Sequence, residues 1–431
     1  MFTTGIAIRL ILLPSEGLRD DLDQFVGWVH HIAVQGVGSL YSGTDAGPVT
    51  FGPVMAYIWA LLAAVQPAFA SATDASDVAV RSLMKVPAVI ADVGLAALVL
   101  VALRDRGRWA VLGAAAILLH PAIIDVSAWW GQYESIFALS ALGAVLAASR
   151  GRNDLAAALV VVSLLTKPQA VPFVLPFAAW FWAAGYQRSG RGGDGGRAGG
   201  ARGGAVAVAR AGLVGLGVAV VLWLPFIPAG GPAHYLANLA KYQNEIFNVL
   251  SLRAWNVWWL VQGAGASGGF AADDVTFLGP LTLRHVGYLV TGALSLVIAW
   301  AIVRDPRPRT LILGLTASVL VFFTFMTQMH ERYAYAALIF LVLLLPETWP
   351  RRLWLGLGVA FTLNLLAAIP PTEDIGGLLP VAGPLGIAGS IVLIGVTLVS
   401  LRLLGRAGPD ATGAGAAPKA TRSGGRGSPA R

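Results

Sequence analysis

Apolar stretches near the length that crosses a bilayer recur along most of this chain. They lie at roughly 2–14, 80–103, 109–126, 132–150, 153–167, 171–186, 205–227, 283–303, 310–328, 332–346, 353–370 and 382–403. They do not show the alternating ten-residue segments of a transmembrane barrel, so the pattern predicts an all-α polytopic membrane protein. Basic clusters fall between alternate stretches: Arg104, Arg106 and Arg108; Arg150 and Arg152; the Gly/Arg-rich residues 187–204; Arg304, Arg307 and Arg309; Arg351 and Arg352; and the tail after 405. The positive-inside rule makes these cytoplasmic, and a bundle of about twelve spans with both ends inside satisfies every cluster. One further stretch, "GPVMAYIWALLAAVQPAFA" at 52–70, is also apolar enough to span. A crossing there would put Arg104–Arg108 outside and invert every later loop. It is therefore expected to be a juxtamembrane helix or re-entrant piece on the outer side. Residues 15–79 then form one large outer loop. Residues 1–14 are too short for a full span and lack a small-residue cleavage site, so they read as the end of a first helix and not as a signal peptide.

Composition sharpens this picture. The chain is 56% hydrophobic and 12% charged, about half the charge of a soluble domain. It has no Cys, which excludes disulfides and thiolate metal sites. The net charge of +8 resides largely in the predicted cytoplasmic loops. Residues 187–204 and the Gly/Pro/Ala tail 405–431 are low-complexity and expected to be disordered. The first would divide the chain into an N-terminal membrane module (1–186) and a C-terminal one (205–404). Its arginines read as topology signals and contacts for anionic lipid. Without interleaved aromatics they do not read as a nucleic-acid site.

On this topology the unusual side chains collect at the outer helix ends. Asp20, Asp21 and Asp23 open the first outer loop, ahead of Phe25, Trp28 and the His30–His31 pair. "SAWWGQYESI" brings Trp130, Gln132 and Glu134, "LLTKPQAV" brings Lys167 and Gln169, and the long loop after 240 brings Asn244, Glu245, Arg253 and Asn256. "FMTQMHERYAYA" adds Gln328, His330, Glu331, Arg332 and Tyr333. Each has a plainer reading. An Asp cluster caps a helix, tryptophans anchor at the interface, and a lysine before proline snorkels. The adjacent His30 and His31 lack the ligand spacing of a metal site. Yet His, Glu and Arg side by side between two apolar spans are costly to keep without a task. Lys85 and Asp92 share one helix face two turns apart. Lys85 lies near the outer end, where it could meet an anion, and Asp92 lies deeper, where it must be paired or solvated.

These residues, in this order, resemble the GT-C superfamily of membrane glycosyltransferases, which use polyprenyl-phosphate sugars as donors. The match is to bacterial mannosyltransferase-like members and, more distantly, to the dolichyl-phosphate-glucose-dependent glucosyltransferases of N-glycan assembly. It is carried by "DLDQFVGW", Gly52–Pro53, "KVPAVIAD", "HPAIIDVSAWWGQYESI", "LLTKPQ", "SLRAWNVWW" and "MHERYAY". The resemblance implies a GT-C-like bundle and a catalytic Asp in the first outer loop. Its spacing to Phe25 and Trp28 selects Asp21, with Asp23, Asp20 or Glu134 as further carboxylates. Glu134 stands where the family often has Asp. A stretch that often reads Asp-Tyr-Pro-Pro reads "VTFGP" here, so its acid is missing.

The chemistry of such a transfer needs a carboxylate to take the acceptor's proton and cations to stabilise the leaving lipid phosphate. Arg332, His330, Lys167 and Lys85 are the candidates for the phosphate, with Arg suited to bidentate contact. Gln132, Trp130, Gln169, Glu331 and Asn256 are candidates for the sugar or acceptor. With a monophosphate leaving group no divalent metal or other cofactor is expected, and a single displacement by a hydroxyl would invert the anomeric centre. The implied enzyme is a plasma-membrane hexosyltransferase, with mannose favoured, acting on a lipid or glycan acceptor at the extracytoplasmic face. The alternative is a transporter or flippase for a polar or lipid-linked sugar. It would need midplane charge and inverted repeats, and Asp92 alone offers the former. A glycan ligase or polymerase differs only in donor and acceptor.

Overall fold

The computed structural model describes residues 1–190, 196–265 and 270–406. After α1 (Phe2–Leu12), the predicted outer loop folds into a small unit of its own: α2 (Arg19–Gln35), a 3-10 turn over Val37–Ser42, α3 (Pro53–Val65) and a second turn over Pro67–Ala70. Leu22, Phe25, Val26, Val29 and Ile32 recur along α2 at helical spacing and are buried. Phe25 lies 5.2 Å from Tyr133 and 5.5 Å from Phe51, ring centre to ring centre. Trp28 lies 5.3 Å from Trp59. This aromatic cluster clamps α2 to α3, which fixes where the first turn of α2 points. At 13 residues, α3 is too short to cross a bilayer.

The bundle continues through α4 (Val78–Ala102), α5 (Arg108–Leu118), α6 (Pro121–Ile124), α7 (Glu134–Ser149), α8 (Asn153–Leu164), α9 (Val174–Gly190) and α10 (Gly196–Trp223). Then come α11 (Gly231–Lys241), α12 (Val257–Gly265), α13 (Leu283–Arg304), α14 (Pro308–Phe325), α15 (Tyr335–Val342), α16 (Thr348–Ala368), α17 (Glu373–Leu378) and α18 (Gly383–Gly405). All the predicted apolar stretches are largely helical. Five helices among the described residues are long and apolar enough to cross a membrane alone, and a sixth is reached if the pair bent by 48° around Pro121 is one span. Several predicted spans are interrupted. The stretch after α8, for example, gives way to a 3-10 turn over Pro168–Phe173, because prolines at 168 and 172 withdraw N–H donors from the helical ladder.

Short strands tie the loops at one end. β1 (Ser251–Leu252) precedes the antiparallel pair β2 (Thr276–Leu278) and β3 (Leu281–Thr282), and pairs in parallel with β4 (Met329–His330). Asp273, fully buried, accepts from Arg284 Nη2 at 2.7 Å, Thr327 Oγ1 at 2.7 Å and Gln328 Nε2 at 3.0 Å. It thereby joins this loop to the start of α13 and the end of α14.

The Gly/Arg stretch differs from its expected disorder. Residues 187–190 close α9 and 196–204 open α10; 191–195 lie outside the described residues, as does the tail from 407. The cause is close helix packing. A Cβ at Gly185 would stand 2.3 Å from the Gly203 carbonyl oxygen, so small residues let two membrane helices touch backbone to backbone. Nor does this stretch separate two cores, since one buried core runs from Leu95 to Leu404.

Asp92 is paired, as its depth requires. Its Oδ2 accepts from Arg9 Nε at 2.7 Å and Ser127 Oγ at 2.6 Å, and its Oδ1 from Ser135 Oγ. Arg9 Nη1 donates to the carbonyl of Leu118 at 2.6 Å. Both members of the ion pair are fully buried. Breaking one side of such a pair costs about 3–5 kcal/mol. Asp92→Asn should therefore lower the thermal midpoint in detergent sharply, and the joint change Arg9→Met with Asp92→Leu should recover most of the loss. Equal midpoints for wild type and the single variant would contradict the pairing.

Candidate active site

Asp21, Gln24, Phe25 and Trp28 stand at helical spacing i, i+3, i+4, i+7 and share one face of α2. The chain that meets this face is the "WGQ" turn. A π-helical segment over Asp125–Trp130 ends at Gly131, whose φ of 91° lies in the left-handed region that glycine enters without strain. A Cβ there would also lie 2.8 Å from Leu22. The turn delivers two donors to one oxygen. Trp130 Nε1 lies 2.8 Å from Asp21 Oδ2, and Gln132 Nε2 donates to the same atom. The other oxygen, Oδ1, makes no hydrogen bond among the described residues.

From Asp21 a polar chain leads inward. Gln132 Oε1 accepts from Lys167 Nζ at 2.9 Å, and Lys167 Nζ also donates to Glu134 Oε1 at 2.6 Å. Arg332 Nε lies 3.2 Å from the same Glu134 oxygen without the alignment of a hydrogen bond, and Nη1 reaches Glu331 Oε1 at 3.1 Å. The guanidinium stacks over Trp130, 4.8 Å from its ring centre, and Lys167 Nζ stands 5.1 Å from that of Phe51. Lys167 and Arg332 are thus held by carboxylates behind them, and both are almost wholly out of water. Glu134 Oε2 and Gln169 Oε1 are buried without a partner.

These groups open onto a cavity of about 480 Å³, within the range of small-molecule sites. Asp21, Gln24, Gln132, Lys167, Gln169 and Arg332 supply its polar wall, and Val171, Val319, Phe322, Phe323 and Met326 an apolar one from the bundle. Tyr242 and Gln243 close it from the long loop and Gln328 from the turn after α14, with Tyr242 Oη 3.1 Å from Gln24 Nε2. Asp21 is the one carboxylate lining it among the described residues.

The other predicted residues divide. His330 lines the cavity, but burial first, and then the charges of Arg332 and Lys167, push its pKa well below the ordinary imidazole value. Its Nδ1 stands 3.3 Å from Arg332 Nη1, placed to accept from it. Asp23 faces away, accepting from the Ala75 backbone N–H at 2.8 Å and pairing with Arg19 at 3.0 Å. Lys85 donates to the carbonyl and hydroxyl of Ser15 at 2.7 and 3.1 Å, so it anchors the loop before α2 and takes no part in the cavity. Trp130, Glu134 and Glu331 lie behind the lining, where they orient Asp21, Lys167 and Arg332. Asn256 is buried elsewhere, donating to the Phe323 carbonyl at 3.0 Å and capping α12 through the Trp259 N–H at 2.9 Å. Asp92, the charge on which a transporter reading rests, is sealed behind Arg9 and does not line the cavity. Sequence reading missed Gln24, Thr50, Phe51, Tyr242 and Gln243. Gln24 alone carried a usable signal, its spacing from Asp21.

Residues 51–366, well over half of the chain, match the model of the ALG6, ALG8 glycosyltransferase family. The chain belongs to that family. The matched segment of this ALG6, ALG8 family member carries Gln132, Glu134, Lys167, His330 and Arg332 and begins after Asp21. Among solved structures it is similar to ArnT from Cupriavidus metallidurans bound to undecaprenyl phosphate. The TM-score is 0.50 and the identity 14%, over 94% of this chain and 76% of that one. No curated protein matches it in sequence. Family and fold together make the protein a membrane glycosyltransferase of the GT-C type, as its motifs suggest.

Proposed function

We propose that this glycosyltransferase moves a hexose from a polyprenyl-monophosphate donor to a lipid or glycan acceptor at the extracytoplasmic membrane face, with Asp21 as general base. The observation that carries the reading is one cavity-lining carboxylate joined through Gln132 to the buried Lys167, with Arg332 reached through Glu134, beside an apolar wall. The likeness to ArnT, whose structure holds undecaprenyl phosphate, favours a polyprenyl donor. Mannose is favoured by the motif resemblance.

In this reading the acceptor hydroxyl gives its proton to Asp21 Oδ1 while Oδ2 stays held by Trp130 and Gln132. The acceptor oxygen bonds to the anomeric carbon, and the bond from that carbon to the phosphate oxygen breaks with its electron pair on the phosphate. Lys167 and Arg332 neutralise the charge that develops, in a site shielded from water. One displacement inverts the anomeric centre. Gln169 and Gln24 offer hydrogen bonds to sugar hydroxyls. No metal is invoked, and activity should survive a chelator.

The test uses purified protein in nanodiscs with a membrane-lipid extract and radiolabelled polyprenyl-phosphate-mannose or -glucose. Label should move to a new product of inverted configuration, with and without EDTA. In proteoliposomes, donor that reaches the far leaflet unmodified with no new product would identify a flippase and overturn the proposal.

A further inference from the structure

A second groove lies at the other end of the α7–α8 hairpin from Glu134 and Lys167. The 16 residues of α7 separate the two ends by about 24 Å. This groove, about 710 Å³ in volume, is formed where the start of α8 meets the end of α9 and the start of α10. Arg152, Arg188, Arg202 and Arg210 line it, from three separate segments. One carboxylate among the described residues faces them: Asp154, which Arg210 grips through Nε at 2.9 Å and Nη2 at 2.5 Å. Arg152, Arg188 and Arg202 pair with no carboxylate among the described residues. No side chain caps α8, so the backbone donors of its first turn add to the positive end of its dipole. The groove's other wall is apolar, made by Leu155, Phe181, Val206 and Ala207. Leu155 and Val206 are about half exposed, at 46% and 59%. Val206 continues into Leu213, Leu216, Val220 and Val221, the outward face of a helix with little of its length buried in the protein.

Three guanidinium groups without a carboxylate partner among the described residues, above an apolar, outward-facing wall, have a specific chemical complement. We propose that this groove binds an anionic glycerophospholipid, its headgroup phosphate held by Arg152, Arg188 and Arg202 and its acyl chains lying along α10. Arginine forks suit phosphate oxygens, and basic pockets between membrane helices hold anionic headgroups. A free phosphate would use the arginines but leave the apolar wall uncovered. This site is separate from the donor cavity and its existence does not depend on the reaction performed there.

Native mass spectrometry of detergent-purified protein, with phosphatidylglycerol, phosphatidylcholine or inorganic phosphate added, tests the site. Wild type should retain phosphatidylglycerol in preference to phosphatidylcholine, and inorganic phosphate should neither bind nor displace it. The triple change Arg152→Gln, Arg188→Gln and Arg202→Gln should lower retention by about tenfold or more, as expected for three charges at the headgroup level. Arg104→Gln, Arg106→Gln and Arg108→Gln remove the same charge elsewhere and should leave retention unchanged. Asp154→Asn, which frees Arg210, should raise it. Equal loss in both triple variants would mean diffuse attraction and overturn the site. So would equal retention of the two lipids, or binding of inorganic phosphate that displaces phosphatidylglycerol.

Discussion

Asp21→Asn should abolish most sugar transfer while the protein stays folded and still binds its donor. General bases typically contribute about 10²–10⁴-fold, and a loss of that size in kcat is expected. The substitution preserves shape, and the carbonyl oxygen of Asn can still accept from Trp130 and Gln132 at the place of Oδ2. What it removes is the second oxygen, the one without a partner, by placing an amide nitrogen that cannot take a proton there. Asp23→Asn is the matched control. That carboxylate serves the Ala75 backbone and Arg19 outside the cavity, so turnover should be near wild type. Initial rates at saturating donor, with monodisperse elution and unchanged thermal midpoint as the fold check, decide the matter. Transfer undiminished in Asp21→Asn would remove Asp21 from the base role.

The second large effect is expected at Arg332. Its guanidinium lies against Glu134 and Glu331, both almost completely buried. Arg332→Ala should therefore destabilise the protein by about 3–5 kcal/mol, because it leaves buried carboxylates short of a cation. It should also slow transfer by about 10²–10³-fold, the usual loss when a preorganised donor to developing charge is removed. Arg332→Lys separates the two effects. The charge remains, so stability should largely return, but a point ammonium replaces the planar fork over Trp130. Its kcat should stay at least about tenfold down. Recovery of full turnover in Arg332→Lys would show that charge alone matters there. Loss of stability without loss of specific activity in Arg332→Ala would make Arg332 purely structural.

Much of the fold was legible because hydrophobic length and charge alternation act locally. Charge alternation argues against a crossing at 52–70, and α3 there has 13 residues, fewer than a span needs. The site was legible to a lesser depth. Asp21, Gln132, Lys167 and Arg332 all came from motifs whose residues are unusual beside apolar spans. Which way each side chain points was not legible. Asp21 and Asp23 are two residues apart on a helix and so diverge by roughly 200°, enough to send one into the cavity and the other to Ala75. Lys85 looked like an anion ligand until its Ser15 partner, 70 residues away, was placed. The sequence shows Glu134 only as a further carboxylate, and its place behind Lys167 depends on α7 and α8 folding against each other. Residues 187–190 and 196–204 are helical where the sequence suggests disorder, because low-complexity glycine signals a loop in water, whereas between membrane helices the same residue permits close contact.

The most direct measurement is a cryo-electron microscopy structure of the protein in nanodiscs with a polyprenyl monophosphate. The predicted result is a phosphate within hydrogen-bonding reach of both Lys167 and Arg332, with the isoprenoid chain leaving along Val319, Phe322 and Met326 and Asp21 Oδ1 open to the space where a sugar would stand. A lipid phosphate bound away from Lys167 and Arg332, with the cavity beside Asp21 empty, would contradict it.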